Sequence, residues 1–250
     1  MSRLSRRSAL ASAILGLALV AAPSRGEAQA APVEAVPEGV LAGLHKHAAA
    51  FEQMKLRGAF TIAGHLEEVD GDGRASDVKD IVAKITPLPG NTVEPLTEVV
   101  RYTHNGKDKT DEAREKAAAR RGKKKKVDKK DLHLPFLASE QGRYVFTLAE
   151  RDATRPERVR IAFRPKEIAE DAIKGSAWVD TSAGEVLSIG FSLSKNPAFI
   201  DHVEITLVFG MATPLGKAPS RISFDGRGGF LFIRKHYRGS ANLSEPRVAF

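Results

Sequence analysis

The stretch Gly175-Ser-Ala-Trp178-Val-Asp180-Thr-Ser-Ala-Gly184-Glu185, with the strands that follow it, decides the fold. Residues 176–180 read as a short strand carrying the single tryptophan, Trp178. Asp180 to Gly184 supplies turn chemistry: Asp and Ser hydrogen-bond local backbone, and Gly accepts a positive φ. Leu187-Ser-Ile189-Gly-Phe191-Ser-Leu193 then alternates apolar with small or polar residues, the period of two of a strand with one buried face. A second alternating run, Val203-Glu-Ile205-Thr-Leu207-Val-Phe209, lies beyond a loop at 194–197. Two further runs, 220–224 and 230–237, flank Asp225-Gly-Arg-Gly-Gly229, which reads as a glycine-rich hairpin connection. Short strands joined by short turns predict an antiparallel meander, because parallel neighbours need crossovers of a dozen or more residues.

Working upstream, Tyr144, Phe146 and Leu148 alternate on one strand, and Val159, Ile161 and Phe163 on the next. Residues 57–69, 77–86 and 93–104 continue the pattern, with Asp70-Gly-Asp-Gly73 as a hairpin turn and an interruption near Pro95. Residues 38–56 predict a helix: Val40, Leu41, Leu44, Ala48, Phe51 and Leu56 recur mostly at spacings of three and four. Pro37 suits its first turn, Glu38 complements the positive end of its dipole, and Gly58 is a plausible stop. The chain is thus expected to be mainly β, with about ten strands, one long N-terminal helix and one charged insertion.

Residues 1–30 have the form of an export leader. Arg3, Arg6 and Arg7 precede an apolar run over 9–22, and Ala28-Gln29-Ala30 is a small-residue cleavage signature. The expectation is an exported, periplasmic protein with a mature N-terminus at Ala31; both a general and a twin-arginine route stay open. The chain has no cysteine, which excludes both disulfides and a lipid-bearing N-terminal cysteine. Residues 31–250 are long enough for one domain with a sizeable core.

The net charge of +8 is unevenly spread. Residues 107–130 hold twelve Lys or Arg against five acids, centred on Lys123-Lys-Lys-Lys126 and Lys129-Lys130. Such a like-charge block cannot bury itself, so residues 105–131 are expected to form a mobile insertion, with a short helix from Thr110. Lys123 to Lys130 suits an anionic membrane surface or an acidic envelope protein. It lacks the interleaved aromatics of single-strand nucleic-acid binders, so no nucleic acid is expected.

Nothing in the sequence points to catalysis, a cofactor or a metal. Nucleophile elbow, zinc-protease helix, P-loop and dinucleotide fingerprint are all missing. His45 and His47 stand two residues apart on the predicted helix and point about 200° from one another. Asp201 and His202 are adjacent in a strand and face opposite sides. The Asp70-Gly-Asp-Gly turn departs from a calcium loop, with Arg74 at the fifth position and Ala75 at the sixth.

The helix followed by a meander, Gly175-Ser-Ala-Trp178-Val-Asp180, Asn196-Pro197-Ala-Phe199, Phe224-Asp-Gly and the closing Phe230-Leu-Phe-Ile-Arg-Lys-His-Tyr237 together resemble the LolA-like periplasmic proteins that sort outer-membrane lipoproteins, with the related LolB and RseB types. The resemblance is clearest over 175–237. It implies an α+β fold: a strongly curved antiparallel sheet or half-barrel, with the N-terminal helix on its concave face and an apolar cavity that shields acyl chains. It implies a monomeric, non-enzymatic carrier or chaperone for lipids or lipoproteins, or an RseB-like sensor that binds a protein. The candidate lining is the alternating apolar set Tyr144, Phe146, Leu148, Val159, Ile161, Phe163, Leu187, Ile189, Phe191, Val203, Ile205, Leu207 and Phe209. A fully packed core would give the same alternation.

Overall fold

The computed structural model describes residues 34–36, 38–89, 95–120, 134–230 and 233–250. The expected leader over residues 1–30 and the lysine block at 123–130 lie outside them. In chain order the elements are β1 (Glu34–Ala35), α1 (Glu38–Arg57), β2 (Gly58–Val69), β3 (Ala75–Thr86), β4 (Leu96–His104), β5 (Lys107–Asp108), α2 (Thr110–Ala118) and α3 (Ala138–Gln141). There follow β6 (Tyr144–Arg151), β7 (Arg158–Pro165), β8 (Ile173–Asp180), β9 (Glu185–Leu193), β10 (Ile200–Thr213), β11 (Gly216–Phe230) and β12 (Ile233–Val248).

All strands join one open antiparallel sheet in the order β1-β6-β7-β8-β9-β10-β11-β12-β2-β3-β4-β5. Ten strands are long, and the edges β1 and β5 are two residues each. They pair with only two residues each of β6 and β4. The pairing β12·β2 brings the last strand beside the first long one and makes the meander continuous.

One face is apolar because the alternation of neighbouring strands is in register. Phe146 lies opposite Phe163, Ile161 opposite Ala177, Ala177 opposite Ile189, and Ile189 opposite Leu207. Helix α1 covers this face, burying Leu44 and Ala48 completely and setting Phe51 and His47 edge-on against the Phe209 ring. Its backbone packs on the β8–β9 turn: Gly184 has a φ of 67°, and a Cβ there would come within 3.1 Å of the Gly43 carbonyl oxygen. Glycine is required at 184 on both counts. Phe136 closes the same face over β6 and β7, fully buried against the rings of Phe146 and Phe163. Gln141 fastens this segment to α1 by donating from Nε2 to the carbonyls of Leu41 and Phe136 (3.0 and 2.9 Å).

Three sequence readings change. The stretch Asp225-Gly-Arg-Gly-Gly229 is no hairpin: it lies inside β11, with Asp225 opposite Arg238, Gly226 opposite Tyr237 and Gly228 opposite Lys235. Its turn-like composition reflects a bare strand face. Leu187 does not continue the inward row of Ile189 and Phe191. A register shift pairs Trp178 with Ser188 but Val179 with Val186, so Leu187 is the extra residue of a bulge and Val186 takes the fully buried place. Lastly, the expected insertion begins with ordered structure. The Arg114 guanidinium of α2 donates to the carbonyls of Val99 and Val100 on β4 (3.0 and 3.2 Å). The short helix expected from Thr110 is α2, and the Thr110 hydroxyl accepts from the Tyr102 N–H at 3.0 Å.

Candidate functional site

Helix α1 contacts the sheet at the end carrying the β8–β9 and β10–β11 turns, where Ala50 meets Gly216 and Met54 meets Thr213. The opposite ends of β10, β11, β12 and β2 are left open, and there the apolar face forms a groove of about 660 Å³. That size lies within the range of small-molecule sites, about 300–1,000 Å³. Its floor is three cross-strand rows. Val203, Gly226 and Tyr237 form one; Phe224, Gly239 and Leu66 form the second; Ile200, Gly228 and Lys235 form the third. Each row sets large side chains beside a glycine, so the absence of side chains creates the hollow.

The glycines differ in what lies above them. At Gly239 a Cβ would fall 2.3 Å from the Phe224 ring, which therefore lies across the bare backbone. At Gly228 it would meet the Phe199 carbonyl oxygen at 2.3 Å, so the loop before β10 sits directly on the strand. At Gly226 the nearest atom is the His202 carbonyl oxygen at 3.9 Å, and the space is open.

Phe199, on the rim, has a φ of 70°, a left-handed conformation costly for a bulky side chain. It is held by the Gly229 N–H, which donates to the Phe199 carbonyl (2.8 Å), and by the Ile200 N–H, which donates to Pro197 (3.2 Å). The Asn196 side chain anchors the same loop on the Asp201 carbonyl (2.8 Å). The loop thereby presents a ring that is 61% exposed, with Ile200 and Phe224 also more than a third exposed.

Charge enters only at one end. Lys235 forms an ion pair with Glu68, and Arg234 with Asp201. The Lys235 ammonium, followed by the Tyr237 hydroxyl, holds the Glu68 carboxyl below its ordinary range, and Glu68 in turn holds Lys235 above its own. Among the described residues no three His, Asp or Glu side chains converge as a metal site would require. No helix among them is long and apolar enough to cross a membrane.

Of the thirteen residues expected to line a site, Val203 lines this groove. Tyr144, Val159, Ile161, Phe163, Ile189, Phe191, Leu207 and Phe209 are buried in the core beneath α1 and the 134–137 segment, with Phe146, Leu148 and Ile205 packed against them. Leu187 stands outside that core. The sequence reading did not gather Leu66, Ile200, Phe224 and Tyr237, which come from four different strands. One signal was available: Gly226 and Gly228 alternate with Asp225 and Arg227, the period of a strand with one bare face.

No family model matches the chain, and no curated protein matches it. Among solved structures it is similar to an outer membrane lipoprotein-sorting protein domain from Vibrio parahaemolyticus, at 12% identity over 84% of this chain and 93% of that one, with a TM-score of 0.40. It is similar to a LolA superfamily protein from Nitrosomonas europaea at 10% identity, over 84% and 93%, with a TM-score of 0.33. It is also similar to the MucA/MucB complex structure from Pseudomonas aeruginosa at 11% identity, over 84% and 99%, with a TM-score of 0.24. The Nitrosomonas protein carries the family name that the residues of this chain suggested.

Proposed function

We propose that the protein is a non-enzymatic periplasmic carrier or chaperone that shields an acyl chain of a lipid or lipoprotein in the groove between β10, β11, β12 and β2. One observation carries the proposal: an open apolar groove of about 660 Å³, floored by glycines and walled by Leu66, Val203, Phe224 and Tyr237. A polar substrate would find little there to bond. Burying roughly ten methylenes contributes about 8 kcal/mol, which corresponds to affinity near micromolar before association costs. Selectivity among tails would follow groove length, since few polar groups share this face.

The site lies outside the fully packed core, so loading requires no exposure of the Leu44 and Phe136 contacts. The test is titration of delipidated protein with a fluorescent fatty acid. Saturable binding that is lost in Val203→Glu, with an unchanged circular dichroism spectrum, is the expected result. No saturable binding by a folded wild-type protein would overturn the proposal and favour an RseB-like role, with the exposed rim of Phe199, Ile200 and Phe224 facing a protein.

A further inference from the structure

Helix α2 stands over the outer strands of the sheet without burying any of its own residues. A nine-residue helix is marginal alone and ordinarily draws its stability from packing an apolar face. Here the Arg114 guanidinium, donating to the carbonyls of Val99 and Val100, fastens it to β4 instead. Past Thr110 its only half-buried positions are two alanines one turn apart, Ala113 and Ala117. Both line a hollow of about 330 Å³ whose sheet side includes Ile81, Val99 and Tyr102. Exposed Glu112, Lys116 and Arg120 complete the helix side.

This hollow and the groove lie on the same face of the sheet. On β2, Leu66 walls the groove, and Gly64, two residues before it, faces the same side. Gly64 stands opposite Ile81 and Leu66 opposite Lys79, so Leu66 and Ile81 are diagonal neighbours on adjacent strands. A Cβ at Gly64 would meet Ile81 Cγ2 at 3.2 Å and the Ala241 Cβ at 4.0 Å, which places all three on that face. Glycine at 64 and alanine at 241 keep the sheet low between the two hollows. We infer that the hollow beneath α2 is a subsite for the distal end of a long acyl chain, and that Ala113 and Ala117 set the chain length the protein prefers; the inference rests on the acyl-chain reading of the groove. A chain that fills the groove continues across Gly64, and its last carbons lie between the two alanines and Ile81.

The experiment titrates wild-type protein, Ala117→Leu and Ala118→Leu with laurate and with palmitate, read by displacement of a fluorescent fatty acid. Leucine at 117 fills the hollow, whereas leucine at the exposed position 118 leaves it open. Alanine and leucine are both strong helix formers, so α2 is kept in each variant. Burying the methylenes that palmitate has beyond laurate gives wild type about a hundredfold preference for palmitate. That ratio falls toward one in Ala117→Leu, with laurate binding unchanged, and persists in Ala118→Leu. Equal affinity of wild type for the two acids overturns the subsite while leaving the groove reading intact. A preference that survives in Ala117→Leu, or is lost as fully in Ala118→Leu, places the extra methylenes elsewhere and overturns it too. Binding of neither acid overturns the groove reading and the subsite with it.

Discussion

Replacing Gly226 with leucine isolates the groove from the rest of the molecule. The position lies in the middle of β11, opposite Val203 and Tyr237, and a Cβ there meets nothing nearer than the His202 carbonyl oxygen at 3.9 Å. Its φ is not in the left-handed region, so a side chain causes no backbone strain, and leucine in place of a strand glycine should leave stability equal or higher. The four added carbons occupy the floor where an acyl chain would lie and exclude about four methylenes. At about 0.8 kcal/mol each, the loss is about 3 kcal/mol, or roughly a hundredfold in affinity. Gly190→Leu is the matched control, since a Cβ at Gly190 meets only the Thr206 hydroxyl at 3.7 Å on the face away from the core. Calorimetric titration with laurate, beside thermal melts of all three proteins, reads both effects. Undiminished binding in a stable Gly226→Leu protein, or equal losses in both variants, would refute the placement of the ligand.

Further outcomes follow from the same contacts. In Gly239→Ala the new methyl displaces the Phe224 ring, so acyl binding weakens with only a small fall in melting temperature, checked by the same titration and melt. Phe136→Ala empties a fully buried site between Phe146 and Phe163 and should cost about 3–5 kcal/mol in denaturant unfolding. Among the described residues buried His47 has no partner for Nε2, and burial holds its imidazole below the ordinary value, against the pull of Glu185 and with the help of Lys217. The unfolded chain therefore takes up the proton first, so stability is fully present above about pH 6.5 and is lost as pH falls below it. Melting temperature between about pH 7.5 and about pH 5 should drop more in wild type than in His47→Leu.

Much of this was legible because local chemistry and long-range packing agree. The Asp180 turn forms as its residues dictate, with Oδ1 accepting from the N–H groups of Ser182 and Ala183 and Gly184 at positive φ. Ile189, Phe191, Leu207 and Phe209 point inward as their period requires. On α1, exposed His45 and buried His47 diverge as their spacing demands. The bulge at Leu187 was not legible, because it arises from the pairing of β9 with β8 and leaves the local alternation intact. The groove was hidden for a different reason. Residues that contribute space by lacking a side chain produce no hydrophobic period, and glycine beside Asp225 resembles a turn. Two of its walls, Leu66 and Tyr237, come from β2 and β12, which are distant in sequence and adjacent only through the closing pair of the meander. Nor does alternation distinguish a lined cavity from a filled core; that depends on where α1 stops covering the sheet.

Photolabelling with a diazirine-bearing fatty acid, followed by peptide mapping, tests the central claim most directly. Saturable adducts at Leu66, Val203, Phe224 and Tyr237, suppressed by excess laurate, are the expected result. Saturable adducts at Ile161 and Ile189 beneath α1, or none on a folded protein, would contradict it.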